Sequence, residues 1–493
     1  MPLSCLLLGV AAAAVPYEAR WYNQTLDHFR FGSPRPRFLQ RYLINDTHWN
    51  GSGVLRNGCR GPILFYTGNE DAITSFWPEN GFMTEVLAPK WGALLVFAEE
   101  RYYGASLPFG ADSFAPERVA YLTTEQVLAD YAELISHLKA TLPGAAECPV
   151  VSFGGSYGAK LTAYLRIKYP HIVVGGLASS ASIGYNAPNE WASHGIDEWT
   201  WSDIVSRVYD AHGGCLDQIR NAVRLVAALG ETTAGRAQLQ QAFNLCAPPQ
   251  VDPDSGMIQG LLDWFTDAIE TIPQLNYPYP VPPFRMGWPV NDTCRTLTTA
   301  QAGGSAHGLL MAAAAITSTF YGSGGAACFD GVGQGGIPGG GPVPAMALDP
   351  VDDAWGFQSC TETLHRFSSR GVRNFTFSLP RVTAVCKRSF GVEPDSVWPE
   401  LAYGGFSIAE GRTTASNIIF SSGLLDPWHG GGFLRQWTAS CPVLLMPGGA
   451  HHLDLRGPHP LDPADVTAAR AEEERIIRGW IDEFAAAPRT SHL

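Results

Sequence analysis

Short apolar runs alternate with amphipathic stretches over the first part of the chain. The apolar runs are bounded by glycine, proline or charged residues, as expected of strands buried on both faces of a parallel sheet. They are residues 63–66, 93–98, 150–153 and 172–178. Between the runs, apolar residues recur at helical spacing. This alternation predicts an α/β sheet with parallel strand order.

The clearest helix signal lies between the second and third runs. Thr123 and Gln126 form a capping box, and Pro143 closes the segment. The apolar positions at helical spacing between them are Val127, Tyr131, Leu134, Ile135 and Leu138. A second helix follows the third run and stops at Pro170. The chain therefore passes from strand to helix and back at least twice before residue 183.

The pattern changes between about residue 183 and residue 405. No regular alternation remains, and helical stretches at 218–229 and 257–271 are separated by Pro/Gly segments. Residues 331–344 are almost entirely glycine and proline, which we interpret as a flexible loop without a packing role. The sequence thus predicts a large, mostly helical inserted segment, residues 184–405.

Strand-like runs return after the inserted segment, at residues 417–420 and 443–446. A terminal helix follows, with its apolar positions at Val466, Ile477, Trp480, Ile481 and Phe484. The simplest interpretation is one α/β domain, residues 26–183 and 406–490, that carries the inserted segment.

The composition agrees with this architecture. A chain of 493 residues is longer than a single hydrophobic core of about 250 to 300 residues requires, and an insertion accounts for the excess. Hydrophobic residues make up 45% and charged residues 16%, which is typical of a globular protein. The net charge is −13 without a Lys/Arg run, so nucleic acids and anionic membranes are disfavoured partners.

The first residues and the glycosylation sequons indicate a secretory route. Residues 5–15 form an apolar stretch of signal-peptide length, too short to span a bilayer, so we expect a signal peptide over residues 1–16. The charged n-region is missing, and a truncated start is the alternative. N-x-S/T sequons, which are glycosylated only in a secretory lumen, occur at Asn23, Asn45, Asn50, Asn291 and Asn374.

The cysteines point the same way. Ten are present, and nine remain when Cys5 of the expected signal peptide is set aside, so at least one thiol stays free or pairs between chains. Six of the nine fall between Cys215 and Cys386, which is the region that disulfides most plausibly cross-link. The spacings do not match a zinc site, and we predict no metal and no cofactor.

Residues 154–158 read Gly-Gly-Ser-Tyr-Gly and match the G-x-S-x-G pattern. The motif stands where a buried strand ends and a helix begins, the strained turn that lifts a nucleophilic serine above the sheet of an α/β hydrolase. The serine is Ser156, and the amide of Tyr157 is placed to donate to an oxyanion. The alternative is an ordinary Gly-rich turn between strand and helix.

A nucleophilic serine needs a base, and in this fold an Asp or Glu and then a His follow on the loops after later strands. Residues 417–420 run into Asp426, and residues 443–446 run into His451. Asp426 would orient the imidazole of His451, which would take the proton of the serine. Asp426 in its Asp-Pro pair could instead cap a turn, and His452 and Asp454 are competing candidates that spacing does not exclude.

The second oxyanion donor is expected on the loop after the first run, at Gly68 or Asn69. That assignment is positional. Lipases, esterases and peptidases share this machinery, so an esterase or lipase on the same three residues is the alternative function.

Several stretches together resemble the serine exopeptidase family of lysosomal Pro-X carboxypeptidase and dipeptidyl peptidase II, from about Leu26 to Trp480. The resemblance is specific in the α/β part and weak in the inserted segment. The stretches are residues 65–70, 96–104, 106–110, 154–158, 168–171, 425–428 and 449–456.

The resemblance implies an α/β-hydrolase fold with a helical cap and a triad on Ser156, Asp426 and His451. It also implies cleavage beside proline in peptides, a lysosomal, vacuolar or secreted location, glycosylation, and often a homodimer. The cap disulfides of the family suggest three pairs, which leave Cys59, Cys148 and Cys441 unexplained. The pairs are Cys215 with Cys294, Cys246 with Cys328, and Cys360 with Cys386.

The chain departs from the family at three places. Glu100 stands where the family usually has His, Ala159 and Lys160 stand where it has Gly-Met, and residues 331–344 are unusual. Cleavage from an N-terminus requires an acid for the substrate amine, and Asp349 is the candidate, with Asp352 and Asp353 as neighbours. Cleavage from a C-terminus requires a cation for the carboxylate. The sequence leaves the direction open.

Overall fold

The computed structural model describes residues 15–186, 192–252, 256–322, 327–329, 354–395, 397–405, 414–436 and 438–487. Eight strands form one sheet. They are β1 Glu18–Thr25, β2 Arg37–Asn45, β3 Ile63–Thr67, β4 Leu94–Ala98, β5 Val150–Gly155, β6 Gly175–Ser179, β7 Ile418–Gly423 and β8 Val443–Met446. The spatial order is β1-β2-β4-β3-β5-β6-β7-β8. The strand that ends at Ser156 therefore lies near the middle of the sheet.

Strands β3 to β8 pair in parallel, and β1 and β2 add an antiparallel edge. All six apolar runs of the sequence correspond to β3 to β8. The edge strands did not stand out because buried glutamines interrupt their pattern. Gln24 and Gln40 are both buried, and the Gln24 side-chain amide donates to Gln40 Oε1 at 2.9 Å. This hydrogen bond pairs the Gln24 amide with the Gln40 carbonyl, and the Gln40 amide donates to Glu99 O at 2.8 Å, so two polar side chains can occupy a buried position.

Five α-helices precede β6 in the described chain, and the sequence predicted the last two of them. They are α1 Ile73–Phe76, α2 Ala88–Trp91, α3 Pro116–Val119, α4 Thr124–Thr141 and α5 Tyr157–Lys168. Thr123 is the N-cap of α4, and its side chain accepts a hydrogen bond from Gln126 N at 3.3 Å. That bond satisfies one of the free amides of the first turn and fixes where the helix begins.

The stretch between β6 and β7 is mainly helical. Its helices are α6 Thr200–His212, α7 Leu216–Gly230, α8 Thr233–Ala242, α9 Gln259–Thr271, α10 Pro289–Ala302, α11 Ala306–Tyr321, α12 Ala354–Ser359, α13 Leu379–Phe390 and α14 Trp398–Tyr403. Two short 3-10 helices of this stretch, Ile183–Asn186 and Ile272–Leu275, contact the short helix Pro427–Gly431 that follows β7. Residues 331–344 lie outside the described residues.

After β8 the chain enters α15 Ala464–Ala486, the predicted terminal helix. Trp480 of this helix lies directly on β6 at Gly175, where an added Cβ would come within 2.2 Å of the indole ring. Only glycine therefore allows this close contact between helix and strand. A mainly parallel sheet covered by helices, with the nucleophile turn after β5, is the α/β-hydrolase fold, which confirms the predicted fold class.

The structure contains four disulfides. Three are the pairs that the family resemblance suggested, and the fourth joins Cys59 to Cys148 across 89 residues of the sheet region. Cys441 is a buried free thiol, and burial raises its pKa. No helix in the described part of the chain has the length and apolar character needed to cross a membrane.

Candidate active site

Ser156 occupies the sharp turn between β5 and α5. Its backbone has φ 58° and ψ −126°, a conformation that non-glycine residues rarely adopt, and its amide donates to Ser179 O at 3.0 Å. A Cβ at Gly154 would lie 2.2 Å from Gly158 O, so the motif needs its glycines for the chain to turn this tightly. Backbone strain held at one serine is the geometry of a nucleophile turn.

Asp426 and His451 meet above the carboxyl ends of β7 and β8. His451 Nδ1 lies 2.6 Å from Asp426 Oδ2, and both side chains are buried. The other oxygen of Asp426 accepts from Trp428 N at 3.0 Å and caps the short helix Pro427–Gly431. The two sequence interpretations of Asp426 therefore hold together, because one oxygen caps a turn while the other contacts the histidine.

The second nitrogen of His451 is the one left for chemistry. Nε2 is buried, and among the described residues it has no hydrogen-bond partner. With Nδ1 donating to a carboxylate, Nε2 carries the lone pair that accepts a proton. His451 therefore has the free, proton-accepting nitrogen that a general base requires.

The inserted segment contacts both of these loops through Gln274. The Gln274 carbonyl accepts from His451 N at 3.1 Å, and its side chain accepts from Trp428 Nε1 at 3.0 Å. The hydroxyl of Tyr277 donates to His451 O at 2.9 Å. Sequence reasoning missed both residues because neither stands in a recognisable motif.

The competing candidates His452 and Asp454 have other partners. His452 N donates to the Ser180 hydroxyl at 3.0 Å, and burial holds the pKa of its imidazole well below the usual value. Asp454 accepts from Ser179 Oγ at 2.6 Å and from Ser421 Oγ at 2.5 Å. Asp454 thus connects the ends of β6 and β7, and Asp426 is the carboxylate that contacts His451.

The predicted oxyanion donors differ in their availability. Tyr157 is the first residue of α5, and the amide of a first helical residue has no acceptor within its own helix. The Gly68 amide already donates to Ala98 O at 3.0 Å, which removes it as a donor. The Asn69 side chain is buried, with Oδ1 accepting from Tyr66 and Nδ2 at 3.4 Å from Gly155 O.

Behind Tyr157 lies a buried carboxyl group. Glu100 Oε1 receives hydrogen bonds from the Tyr157 hydroxyl at 3.1 Å and from Gln358 Nε2 at 3.0 Å. Burial raises the pKa of Glu100 well above its usual value. Glu100 is one of the departures from the family, and its partner Gln358 comes from the inserted segment.

Four rings form an arc from the nucleophile turn to the Asp426 loop, which we call the aromatic arc. Tyr157 meets Trp355 edge-on at 5.4 Å between centroids, Trp355 lies 6.4 Å from His365, and His365 lies 5.0 Å from Trp428. Two of the four rings come from the inserted segment. The arc gives the site an apolar wall made of residues far apart in sequence.

The candidate amine partners Asp349, Asp352 and Asp353 lie outside the described residues. Within the described part of the chain, no group of three or more His, Cys, Asp or Glu side chains is arranged to hold a metal ion.

The chain matches a family model and close relatives over most of its length. The model of serine carboxypeptidase S28 matches residues 24–473. The lysosomal Pro-X carboxypeptidase of Mus musculus is 38% identical over 96% of this chain and 91% of that protein. Its counterpart in Homo sapiens is 36% identical over 98% and 92%.

Among solved structures, a Vigna radiata epoxide hydrolase mutant is 12% identical, with a TM-score of 0.35. The alignment covers 95% of this chain and 99% of the epoxide hydrolase chain. The chain belongs to the serine carboxypeptidase S28 family and is a serine-type exopeptidase.

Proposed function

We propose that the protein is a lumenal carboxypeptidase that removes the residue following a proline from the C-terminus of peptides. The observation that carries the proposal is the contact between His451 Nδ1 and Asp426 Oδ2, in a chain 38% identical to a Pro-X carboxypeptidase across 91% of that protein. Because the match extends over nearly the full length of that relative, we expect the site to serve the same class of reaction.

In the proposed mechanism, Ser156 Oγ attacks the carbonyl carbon of the proline while His451 Nε2 takes the hydroxyl proton. The amide of Tyr157 donates to the oxygen of the tetrahedral intermediate. The C–N bond then breaks, and His451 passes its proton to the nitrogen of the departing residue. Water hydrolyses the acyl-enzyme by the same steps, with His451 again as base and then as acid.

The aromatic arc supports proline as the residue that supplies the acyl group. A pyrrolidine ring is compact and apolar, and aromatic faces bury such a ring without leaving a polar group unsatisfied. The ends of the arc are Tyr157 and Trp428. Tyr157 directly follows Ser156 in sequence, and Trp428 stands two residues after Asp426. The two ends of this apolar wall therefore belong to the loops that carry Ser156 and Asp426.

The direction of cleavage is tested with two substrates. Purified protein is incubated with N-blocked Pro-Phe and with a Lys-Pro reporter at several pH values. Release of Phe from the first substrate alone is expected. Release from the second alone would make the protein a dipeptidyl peptidase and overturn the proposal.

The nucleophile is tested with a fluorophosphonate probe. We expect labelling of the wild type and none of Ser156→Ala. Undiminished peptide hydrolysis by Ser156→Ala would exclude Ser156 as the nucleophile. Turnover of short acyl esters with no turnover of proline peptides would favour the esterase alternative.

The lumenal location is proposed on the expected signal peptide, the sequons and the four disulfides, which form in oxidising compartments. The asparagines at 23, 50, 291 and 374 are exposed and available for glycosylation. Asn45 is buried, and its side-chain oxygen accepts from Thr47 N at 2.9 Å, so we expect it to stay unmodified in the folded protein. The division into an α/β domain and a helical cap, and a homodimer, also remain proposals.

A further inference from the structure

Lys160 is a buried cation on the helix that begins at the nucleophile turn. It stands four residues after Ser156 on α5, and its side chain is 2% exposed. Its ammonium donates to Asn186 Oδ1 at 2.8 Å and lies 3.3 Å from His365 Nε2. Asn186 ends the short helix after β6, and His365 belongs to the inserted segment and to the aromatic arc. Lys160 therefore lies where the arc meets the sheet.

Within the described chain, both hydrogen-bond contacts of this ammonium are with groups that carry no negative charge. Asn186 has no charge, and burial holds the pKa of His365 well below its usual value, with the charge of Lys160 adding to the effect. An ammonium has three N–H donors, and two contacts leave one for a ligand. Among the described residues, none of the hydrogen-bond contacts of this buried cation is with a carboxylate, and an anionic ligand would offset the cost of burying its charge.

Arg456 provides a contrast within the same region. It lies 3.2 Å from Glu79 Oε1 and stacks over the ring of Tyr277 at 4.5 Å. The charge of Arg456 is thus balanced by a carboxylate of the protein. The hydrogen-bond contacts of Lys160 include no such carboxylate, so the substrate could supply one.

We propose that Lys160 is a specificity-determining residue that binds a carboxylate of the peptide substrate, with the free C-terminal carboxylate of the departing residue as its ligand. The inference rests on the proposed carboxypeptidase function, because such an enzyme requires a cation for that carboxylate. The family that the sequence resembles has Met at the position of Lys160, so the buried cation distinguishes this chain from the family pattern. An acidic side chain on the residue before the scissile bond would offer the same chemistry, and the experiment separates the two.

The charge of Lys160 sets a pH dependence for this recognition. Burial lowers the pKa of its ammonium to about 7, while the carboxylates of Glu70 and Glu400, from the loop after β3 and from α14, act in the opposite direction. His365 is the remaining titratable group in contact with it, and burial holds the pKa of that imidazole well below its usual value. The ammonium is therefore charged below about pH 7 and neutral above it, so the preference for a carboxylate should be present in acid and fade above pH 7.

The experiment compares two matched substrate pairs on the wild type, Lys160→Met and Lys160→Arg. The first pair is N-blocked Pro-Phe and its C-terminal amide, and the second is N-blocked Glu-Phe and Gln-Phe. At pH 5 we expect the wild type to prefer the free acid of the first pair by about tenfold or more in kcat/KM, mainly through KM. Lys160→Met should reduce that ratio to about one, and Lys160→Arg should retain most of it.

Lys168→Met is the control, because Lys168 lies on the same helix and is exposed. It should leave both ratios unchanged. If Lys160→Met instead changes only the Glu-Phe to Gln-Phe ratio, the carboxylate is that of the side chain, and the assignment to the C-terminus is wrong.

Unchanged ratios in a Lys160→Met enzyme that melts cooperatively would overturn the inference while leaving the proposed function in place. A wild type that cleaves neither Pro-Phe nor its amide would overturn the proposed function and this inference together.

Discussion

The sheet region and the inserted segment contribute different things to one site. The loops after β5, β7 and β8 supply the proposed triad of Ser156, Asp426 and His451, and the contact between Asp426 and His451 is made within the sheet region itself. The inserted segment supplies Gln274, which holds the histidine and tryptophan loops, and His365, which contacts Lys160. The comparison places the proposed reacting groups in the sheet region, and the proposed substrate contacts where the two parts meet.

The largest effect should come from Asp426→Asn, which tests the contribution of the sheet region alone. An amide at this position removes the negative charge that holds His451 in its reactive tautomer. By analogy with other serine hydrolases, kcat for N-blocked Pro-Phe should fall about 10⁴-fold. Steady-state kinetics and the rate of fluorophosphonate labelling measure the loss.

Asp454→Asn is the matched control for Asp426→Asn. Asp454 is another buried carboxylate, three residues after His451, and it accepts from Ser179 and Ser421. This variant should lose stability yet keep kcat within about tenfold, because Asp454 is not bonded to His451. Equal losses of kcat in the two variants would contradict the assignment of Asp426.

The second effect lies at the junction of the two regions. A lysine whose pKa falls from 10.5 unfolded to about 7 folded destabilises the native state fully below pH 7, and the penalty is relieved as pH rises from 7 to 10.5. Lys160→Met should therefore raise the free energy of unfolding by on the order of 3–5 kcal/mol at pH 5 and by less at pH 9. Urea titrations at both pH values measure the difference.

The control for this stability change is Lys168→Met, an exposed substitution on the same helix that should alter the free energy of unfolding by less than about 0.5 kcal/mol. A gain at Lys160→Met that is the same at pH 5 and pH 9 would show that packing, rather than the buried charge, is responsible.

The sheet region was largely predictable from the sequence, and the junction was not. Buried parallel strands are continuous apolar runs, so β3 to β8 could be found, and the turn at Ser156 carries its own glycine pattern. Chain order then led to Asp426 and His451. By contrast, Gln274 and His365 act through contacts across more than 100 residues, which no local pattern encodes. The one sequence signal for Lys160 is that it is a charged residue among the buried positions of the helix that follows Ser156.

A third effect compares disulfides of the two regions. The Cys59–Cys148 bond spans 89 residues and the Cys360–Cys386 bond spans 26. Loop-closure entropy makes the longer one more stabilising, so removing Cys59–Cys148 by a double alanine substitution should cost about 4 kcal/mol and removing Cys360–Cys386 about 1 kcal/mol less. Calorimetry of both variants checks the order, and Cys441→Ala, which breaks no disulfide, serves as the reference. A larger loss for the shorter loop would mean that local packing outweighs chain entropy.

The smallest effect should come from Gln274→Ala, which removes one contact of the inserted segment and keeps another. The backbone bond from His451 N to Gln274 O survives, while the indole N–H of buried Trp428 loses its acceptor. An unsatisfied buried donor costs about 1–3 kcal/mol, and a displaced Trp428 would loosen one end of the aromatic arc. We therefore expect KM for N-blocked Pro-Phe to rise about fivefold with kcat nearly unchanged. Gln250→Ala, an exposed glutamine in the same segment, should change neither, and a loss confined to kcat would place Gln274 in the support of His451 rather than of the substrate wall.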